Sequence, residues 1–142
     1  MAQMIFVNLP VENLETSKSF FEKLGFASNP QFSDDKTACV VISDTICVML
    51  LTEPRFRDFT KKDIADASRT TEVILALSAD SREKVDEIAD AALASGGSPA
   101  NDPQETGFMY GRSFQDPDHH IWEVIWMDPA AFEAQAQGQA PA

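Results

Sequence analysis

The strongest constraint on the fold is that the chain runs one structural programme twice. The first pass begins with the apolar strand-like run Met4 to Val11. Asn13 then stands where a helix cap belongs, and Leu14, Ser17, Phe20, Phe21 and Leu24 recur at helical spacing. Gly25 follows as the glycine that ends such a helix, Phe26 leads back toward sheet, and Thr37 to Ile42 with Ile46 to Leu51 read as a hairpin turning at Ser43-Asp44-Thr45. The second pass restarts at Val73 to Leu77. Asp80-Ser81-Arg82-Glu83 resembles a capping box, and the helix behind it carries Val85, Ile88, Ala92 and Leu93 before Gly96-Gly97. A second hairpin follows from Phe108 to Phe114 and Ile121 to Met127. Overlaying the passes sets Phe6 on Ile74, Leu9 on Leu77 and Val11 on Ala79.

A half-sheet carrying one helix has an unfinished apolar face, so two such halves are expected to bury those faces together and leave a concave sheet surface as a small-molecule cleft. This makes the expected fold α+β, with two tandem strand–helix–three-strand modules. They are placed at 1–53 and 71–127. The connecting segment 54–70 has Phe56, Phe59 and Ile64 as anchors, with a short helix expected to start at Thr60-Lys61-Lys62-Asp63. It also holds Arg55, Arg57, Lys61, Lys62 and Arg69, whose simplest role is pairing with acidic neighbours on a solvated surface. Residues 128–142, dominated by Ala, Gln, Gly and Pro, are expected to form a flexible tail.

Chemistry concentrates in Asp116-Pro117-Asp118-His119-His120-Ile121-Trp122-Glu123-Val124. Asp, Pro and Asp form a tight turn, and the strand after it alternates: Ile121, Glu123 and Ile125 on one face, Trp122, Val124 and Trp126 on the other. An acid flanked by isoleucines needs a cation, hydrogen-bond donors, a wet cleft or a proton. The adjacent histidines point to opposite sides of any strand they join and lack the spacing to chelate jointly. Cys39 and Cys47 flank the first hairpin with no neighbouring His, Lys or Arg to activate them, so free core thiols are expected.

With 11 basic and 23 acidic residues the chain carries −12, which disfavours nucleic acid and anionic membranes as partners. No apolar run is long enough to span a bilayer, and Met1 to Phe6 lacks both a basic and a long apolar segment. A cytoplasmic location is expected.

The repeated plan, together with Val11-Glu12-Asn13-Leu14, Phe20-Phe21, Leu24-Gly25-Phe26 and Asp116-Pro117-Asp118 ending in Glu123, resembles the vicinal oxygen chelate superfamily. This is the group of glyoxalase I, bleomycin-resistance proteins and extradiol dioxygenases, and the likeness runs from about Met4 to Met127. Within it, the chain most resembles small bacterial glyoxalase-like proteins labelled as lactoylglutathione lyases. The resemblance implies paired βαβββ modules, sheets curved around a pocket, and homodimers. It also implies up to four metal-ligand positions, which fall here on Phe6, Leu50 give or take a residue, Ile74 and Glu123. Only Glu123 is a ligand by chemistry, with Glu72 a candidate displaced second. His119 occupies the turn position where the family usually has glycine, and is expected in a left-handed conformation.

Two functions follow from the resemblance. One is a metal-independent binding protein that holds a small organic ligand in an apolar cleft lined by Phe6, Asn8, Leu50 and Ile74, with Glu123 as its polar anchor; a divalent metal is disfavoured. The other is a lyase or isomerase in which Glu123 acts as general base or metal ligand. Without a metal, that enzyme would need Asn8, Tyr110 or Arg112 to donate hydrogen bonds to the developing charge.

Overall fold

Two sheets share one apolar core in the computed structural model, which describes residues 2–136. Sheet A is built from β1 (Ile5–Val11), β2 (Ala27–Ser28), β3 (Thr37–Ser43) and β4 (Ile46–Thr52), in the order β1-β4-β3-β2. Helix α1 (Leu14–Lys23) links its first two strands, and α2 (Glu53–Arg57) follows its last. Sheet B contains β5 (Ile74–Ser78), β6 (Ser98–Pro99), β7 (Gln104–Thr106), β8 (Met109–Gln115) and β9 (Ile121–Met127), and α3 (Arg82–Ala94) follows β5. Its order is β5-β9-β8-β6, with β7 also on β8. In both sheets the opening strand pairs parallel with the closing strand, and the closing strand pairs antiparallel with its hairpin partner. This is a mixed α+β fold in which the duplicated pattern appears as two βαβββ modules, the second with one additional short strand, β7.

The local chemistry repeats as well. Asn13 caps α1 by accepting from the Thr16 amide at 3.0 Å, and Ser81 caps α3 by accepting from the Lys84 amide at 3.1 Å. Gly25 and Gly96 end the two helices at φ +102° and +106°, backbone that strains any L side chain. Gly97 is required for a different reason. A Cβ there would lie 2.7 Å from both the Ala92 and Gln115 carbonyls, so glycine is what lets α3 close onto β8.

The core lies on the helix-bearing side of both sheets. Leu9, Val11, Ala38, Val40, Val48 and Leu50 of sheet A meet Phe114, Trp122 and Val124 of sheet B through Phe20 and Phe21 of α1 and Val85, Ile88 and Ala92 of α3. Phe20 packs against Phe114 at 6.1 Å between ring centroids, and Phe21 against Trp122 at 5.2 Å. The two modules are therefore fused by aromatic contacts from a helix of one to strands of the other.

The connecting segment differs from expectation in where its helix starts. The connecting helix begins at Glu53 rather than Thr60, because Pro54 presets the dihedral of a first helical turn. Thr60 makes only a local turn, accepting from the Lys62 amide at 3.1 Å, and Lys61-Lys62 offers no apolar stripe to dock. Arg55 and Arg57 pair with Asp58 and Glu53 on the surface, as the solvated reading of that segment expected. In the segment after 128, where a flexible tail is expected, Pro129–Ala136 take helical geometry as α4. Asp128 accepts from the Ala130 amide at 3.0 Å, Pro129 suits the first turn, and alanine favours helix. The remainder of that tail, 137–142, lies outside the described residues.

Candidate functional site

Register decides which side chains face away from the helices. On sheet B, Ile74, Ala76 and Ser78 pair with Ile121, Glu123 and Ile125, and Glu123 pairs across the hairpin with Ser113. Their alternates, Leu75, Leu77, Trp122 and Val124, belong to the core. Glu123 thus stands on the uncovered face between Ala76 and Ser113, with Ile121 and Ile125 on either side along its own strand. Farther along the same strands lies an apolar cavity of about 460 Å³ lined by Ala76, Leu77, Ser78, Ala79, Ile125, Met127 and Pro129, within the size range of small-molecule sites; Glu123 is not in its wall but adjoins it through its register partner Ala76 and through Ile125.

Among the described residues Glu123 has no hydrogen-bond or ion-pair partner. Its polar neighbours on the face are already engaged. Ser113 accepts from the Asn101 amide at 2.8 Å and donates to the Asn101 carbonyl, and Gln115 donates to the Pro99 carbonyl at 3.0 Å.

Phe6 and Asn8 hold the equivalent uncovered positions on sheet A, and Phe6 and Ile74 are 51% and 53% exposed. Phe6 and Asn8 therefore sit on a different sheet from Ile74 and Glu123, and the apolar cavity takes its walls from sheet B with Ala79 and Pro129. Leu50 requires correction as a lining residue. It is 0% exposed in the shared core, while Met49, which pairs with Asn8 as Glu123 pairs with Ala76, occupies the uncovered face. A shift of one residue along a strand reverses the face.

Tyr110 and Arg112 require correction too. They pair with Trp126 and Val124 on the helix-bearing face. Tyr110 donates to Asp86 at 2.7 Å, and Arg112 donates to Asp86 at 3.0 Å and Asp90 at 2.8 Å, both acids being on α3. The bond to Asp86 pushes the Tyr110 phenol above its ordinary pKa, and the Tyr110 and Arg112 bonds hold Asp86 below the usual carboxylate range. Neither side chain is placed to assist chemistry at Glu123.

Glu72 is committed elsewhere as well. It precedes β5 and accepts from His120 Nδ1 at 2.7 Å, while His120 Nε2 donates to the Pro10 carbonyl of the first module at 2.8 Å. His120 is 2% exposed. With an acceptor at each ring nitrogen, the imidazole satisfies both only when doubly protonated. Burial alone would lower its pKa, but the nearby Asp116 charge, the Pro10 carbonyl and Glu72 outweigh that and raise it. Asp116, itself buried, accepts from the Asp118 and His120 amides and the Trp122 indole, and burial raises its pKa despite those bonds and the His120 charge. Asp118 reaches back to the first module, accepting from the Glu12 amide and the Ser17 hydroxyl, both at 2.8 Å. The acidic turn is a clasp between modules. His119 within it has φ +68°, the left-handed geometry expected from its turn position.

Metal chemistry finds little support in these side chains. Among the described residues no group of three or more His, Cys, Asp or Glu is placed to hold an ion, and Phe6, Met49 and Ile74 offer no oxygen or nitrogen at the positions that would join Glu123. Cys39 and Cys47 are free and buried, and burial together with the neighbouring Cys47 pushes the Cys39 thiol up to about 11, so it is no nucleophile near neutrality.

Two sheets, each with its opening strand parallel to its closing strand and with helices on one side, are the architecture on which the family assignment rests. The chain belongs to the Glyoxalase/Bleomycin resistance protein/Dioxygenase superfamily, whose family model matches residues 3–124. Among solved structures it is similar to the hypothetical protein SA1046 of S. aureus, at 28% identity over 89% of this chain and 95% of that one, with a TM-score of 0.74. A glyoxalase-related enzyme from Fulvimarina pelagi is similar at 20% identity over 89% of this chain and 88% of that one, TM-score 0.74. TnmS3, an antibiotic binding protein from Streptomyces sp. CB03234, matches at 18% identity over 90% and 98%, TM-score 0.62. None of the curated proteins compared matches the chain in sequence. No helix among the described residues is long and apolar enough to cross a membrane.

Proposed function

We propose that this protein binds a small organic ligand on the uncovered face of sheet B, with Glu123 as its polar anchor and without a catalytic metal. The observation that carries this reading is a partnerless carboxylate beside an apolar cavity of about 460 Å³. The apolar character of Phe6, Met49 and Ile74 supports the metal-free part, and the commitment of Tyr110 and Arg112 to α3 removes two donors a metal-free lyase would need. The similar fold of TnmS3, an antibiotic binding protein, is consistent with this reading. Replacing Glu123 by Gln is expected to leave the unfolding midpoint within about a degree of the parent, because shape is kept and no hydrogen bond among the described residues is broken. Ligand affinity should fall, or its pH dependence shift. Calorimetric titration of both proteins across pH checks this, and an unchanged profile would make Glu123 a bystander.

The working unit is a homodimer in this reading. The exposed Met4, Ile5, Phe6 and Ile74 lie on or beside β1 and β5, which are the edge strands of their sheets. Exposed apolar edges favour pairing with a second copy, and two-fold dimers are the commonest assembly. Light scattering should return twice the 15.6 kDa chain mass. A mass of 15.6 kDa at working concentration would refute the dimer.

A further inference from the structure

The charge of the ligand can be read from the side chains that surround it. The strand positions on the uncovered face of sheet B are Ile74, Ala76 and Ser78; Ser98; Gln104 and Thr106; Met109, Gly111, Ser113 and Gln115; and Ile121, Glu123, Ile125 and Met127. Glu123 is the one ionisable residue among them, and no Lys or Arg joins it. The nearest cationic strand residue, Arg112, points to the other side and is held by Asp86 and Asp90. Arg82 lies on that other side too, bound to Glu105 and stacked 4.8 Å over Trp126. Arg69 of the connecting segment lines a pocket with Gln115 and Ile121 at one end of the face, and its charge lies beside Asp66. A carboxylate or phosphate at Glu123 would thus meet a negative charge, no cation at these strand positions, and a net charge of −12 behind it. An ammonium would meet a carboxylate that Ser113 and Gln115, already engaged, do not satisfy, on a surface apolar enough to strengthen the attraction.

We propose that the ligand is a lipophilic cation, an amine or quaternary ammonium on an apolar body, rather than an anionic conjugate such as a glutathione adduct. This rests on the ligand-binding reading above and adds the chemical class.

The test uses the full chain and three naphthalene probes of matched shape, bearing trimethylammonium, tert-butyl or sulfonate, measured by equilibrium dialysis. The cation should bind about tenfold tighter than the neutral probe, equivalent to about 1.4 kcal/mol, and the anion weakest of all. Glu123→Gln should collapse the cation's advantage, whereas Asp44→Asn, which removes one charge from the tip of the first hairpin, should preserve it. An advantage that survives Glu123→Gln would assign it to bulk charge and overturn the proposal. Equal binding of cation and neutral probe, or preference for the anion, would overturn it as well. Should the neutral probe bind and be displaced by Ala76→Trp while the cation gains nothing, the binding reading stands and the ligand class falls. Saturable binding of no probe would sink both.

Discussion

Replacing His120 by alanine is expected to cost the fold about 2–4 kcal/mol, lowering the thermal midpoint by roughly 10 °C. The substitution removes a buried ring whose two nitrogens serve Glu72 and the Pro10 carbonyl at 2.7 and 2.8 Å, and it leaves the Asp116 charge without its neighbouring cation. Breaking a fully buried pair costs about 3–5 kcal/mol, and the partial solvation of Glu72, whose side chain is 25% exposed, tempers that figure. The same side chain sets a pH dependence. Its folded pKa lies above the ordinary value of 6.5, so the stability it contributes is complete below that value and drains away as pH rises through the folded pKa. Asp116, also raised, acts with the same sign, but from its ordinary 3.8 upward. Thermal unfolding between about pH 6 and 8.5 should therefore show the parent losing stability with pH, and His120→Ala should flatten the curve. A parent midpoint that rises across this range would show that the ring is neutral in the fold.

Trp122→Ala should be more damaging, at about 3–5 kcal/mol. Trp122 is among the largest fully buried side chains, packs 5.2 Å from Phe21 of the other module, and donates its indole N–H to Asp116 at 3.0 Å. Truncation opens a cavity at the seam between modules and strips a buried acceptor of a donor. Chemical denaturation measures the loss. The Trp122→Phe variant keeps an aromatic ring at the seam while removing the donor and part of the indole volume; it should retain more than half of the stability that alanine loses. A loss below about 1 kcal/mol for Trp122→Ala would mean the seam is not a single cooperative core.

The repeat was legible because its signals are local: a cap, a helical apolar spacing and a left-handed glycine, stated twice around Asn13 to Gly25 and Ser81 to Gly96. The strand Ile121–Met127 and the separation of Glu123 from Trp122 and Val124 followed from alternation alone. What alternation does not supply is the partner strand. Without register, Leu50 and Met49 are exchangeable on paper, and their faces are opposite in the fold. Alternation puts Tyr110 and Arg112 on one face of their strand, but only pairing with Trp126 and Val124 shows it to be the helix side. A signal for His120 was present and missed. It has the strand parity of Trp122 and Val124, the buried side, and a histidine there beside Asp116 calls for partners. Those partners, Glu72 and Pro10, lie 48 and 110 residues away, and local pattern carries no trace of such contacts.

Metal content tests the central claim most directly. Protein purified without chelator should contain no stoichiometric transition metal by elemental analysis and show no thermal stabilisation on adding Zn, Ni or Mn. It should not turn over a methylglyoxal–glutathione hemithioacetal in response to them. A real site would report itself, since binding to the native state at a hundredfold excess over Kd adds about 2.7 kcal/mol. One equivalent of metal lost in Glu123→Gln, with turnover that follows metal content, would contradict the metal-free binding account and make the chain a glyoxalase-type enzyme.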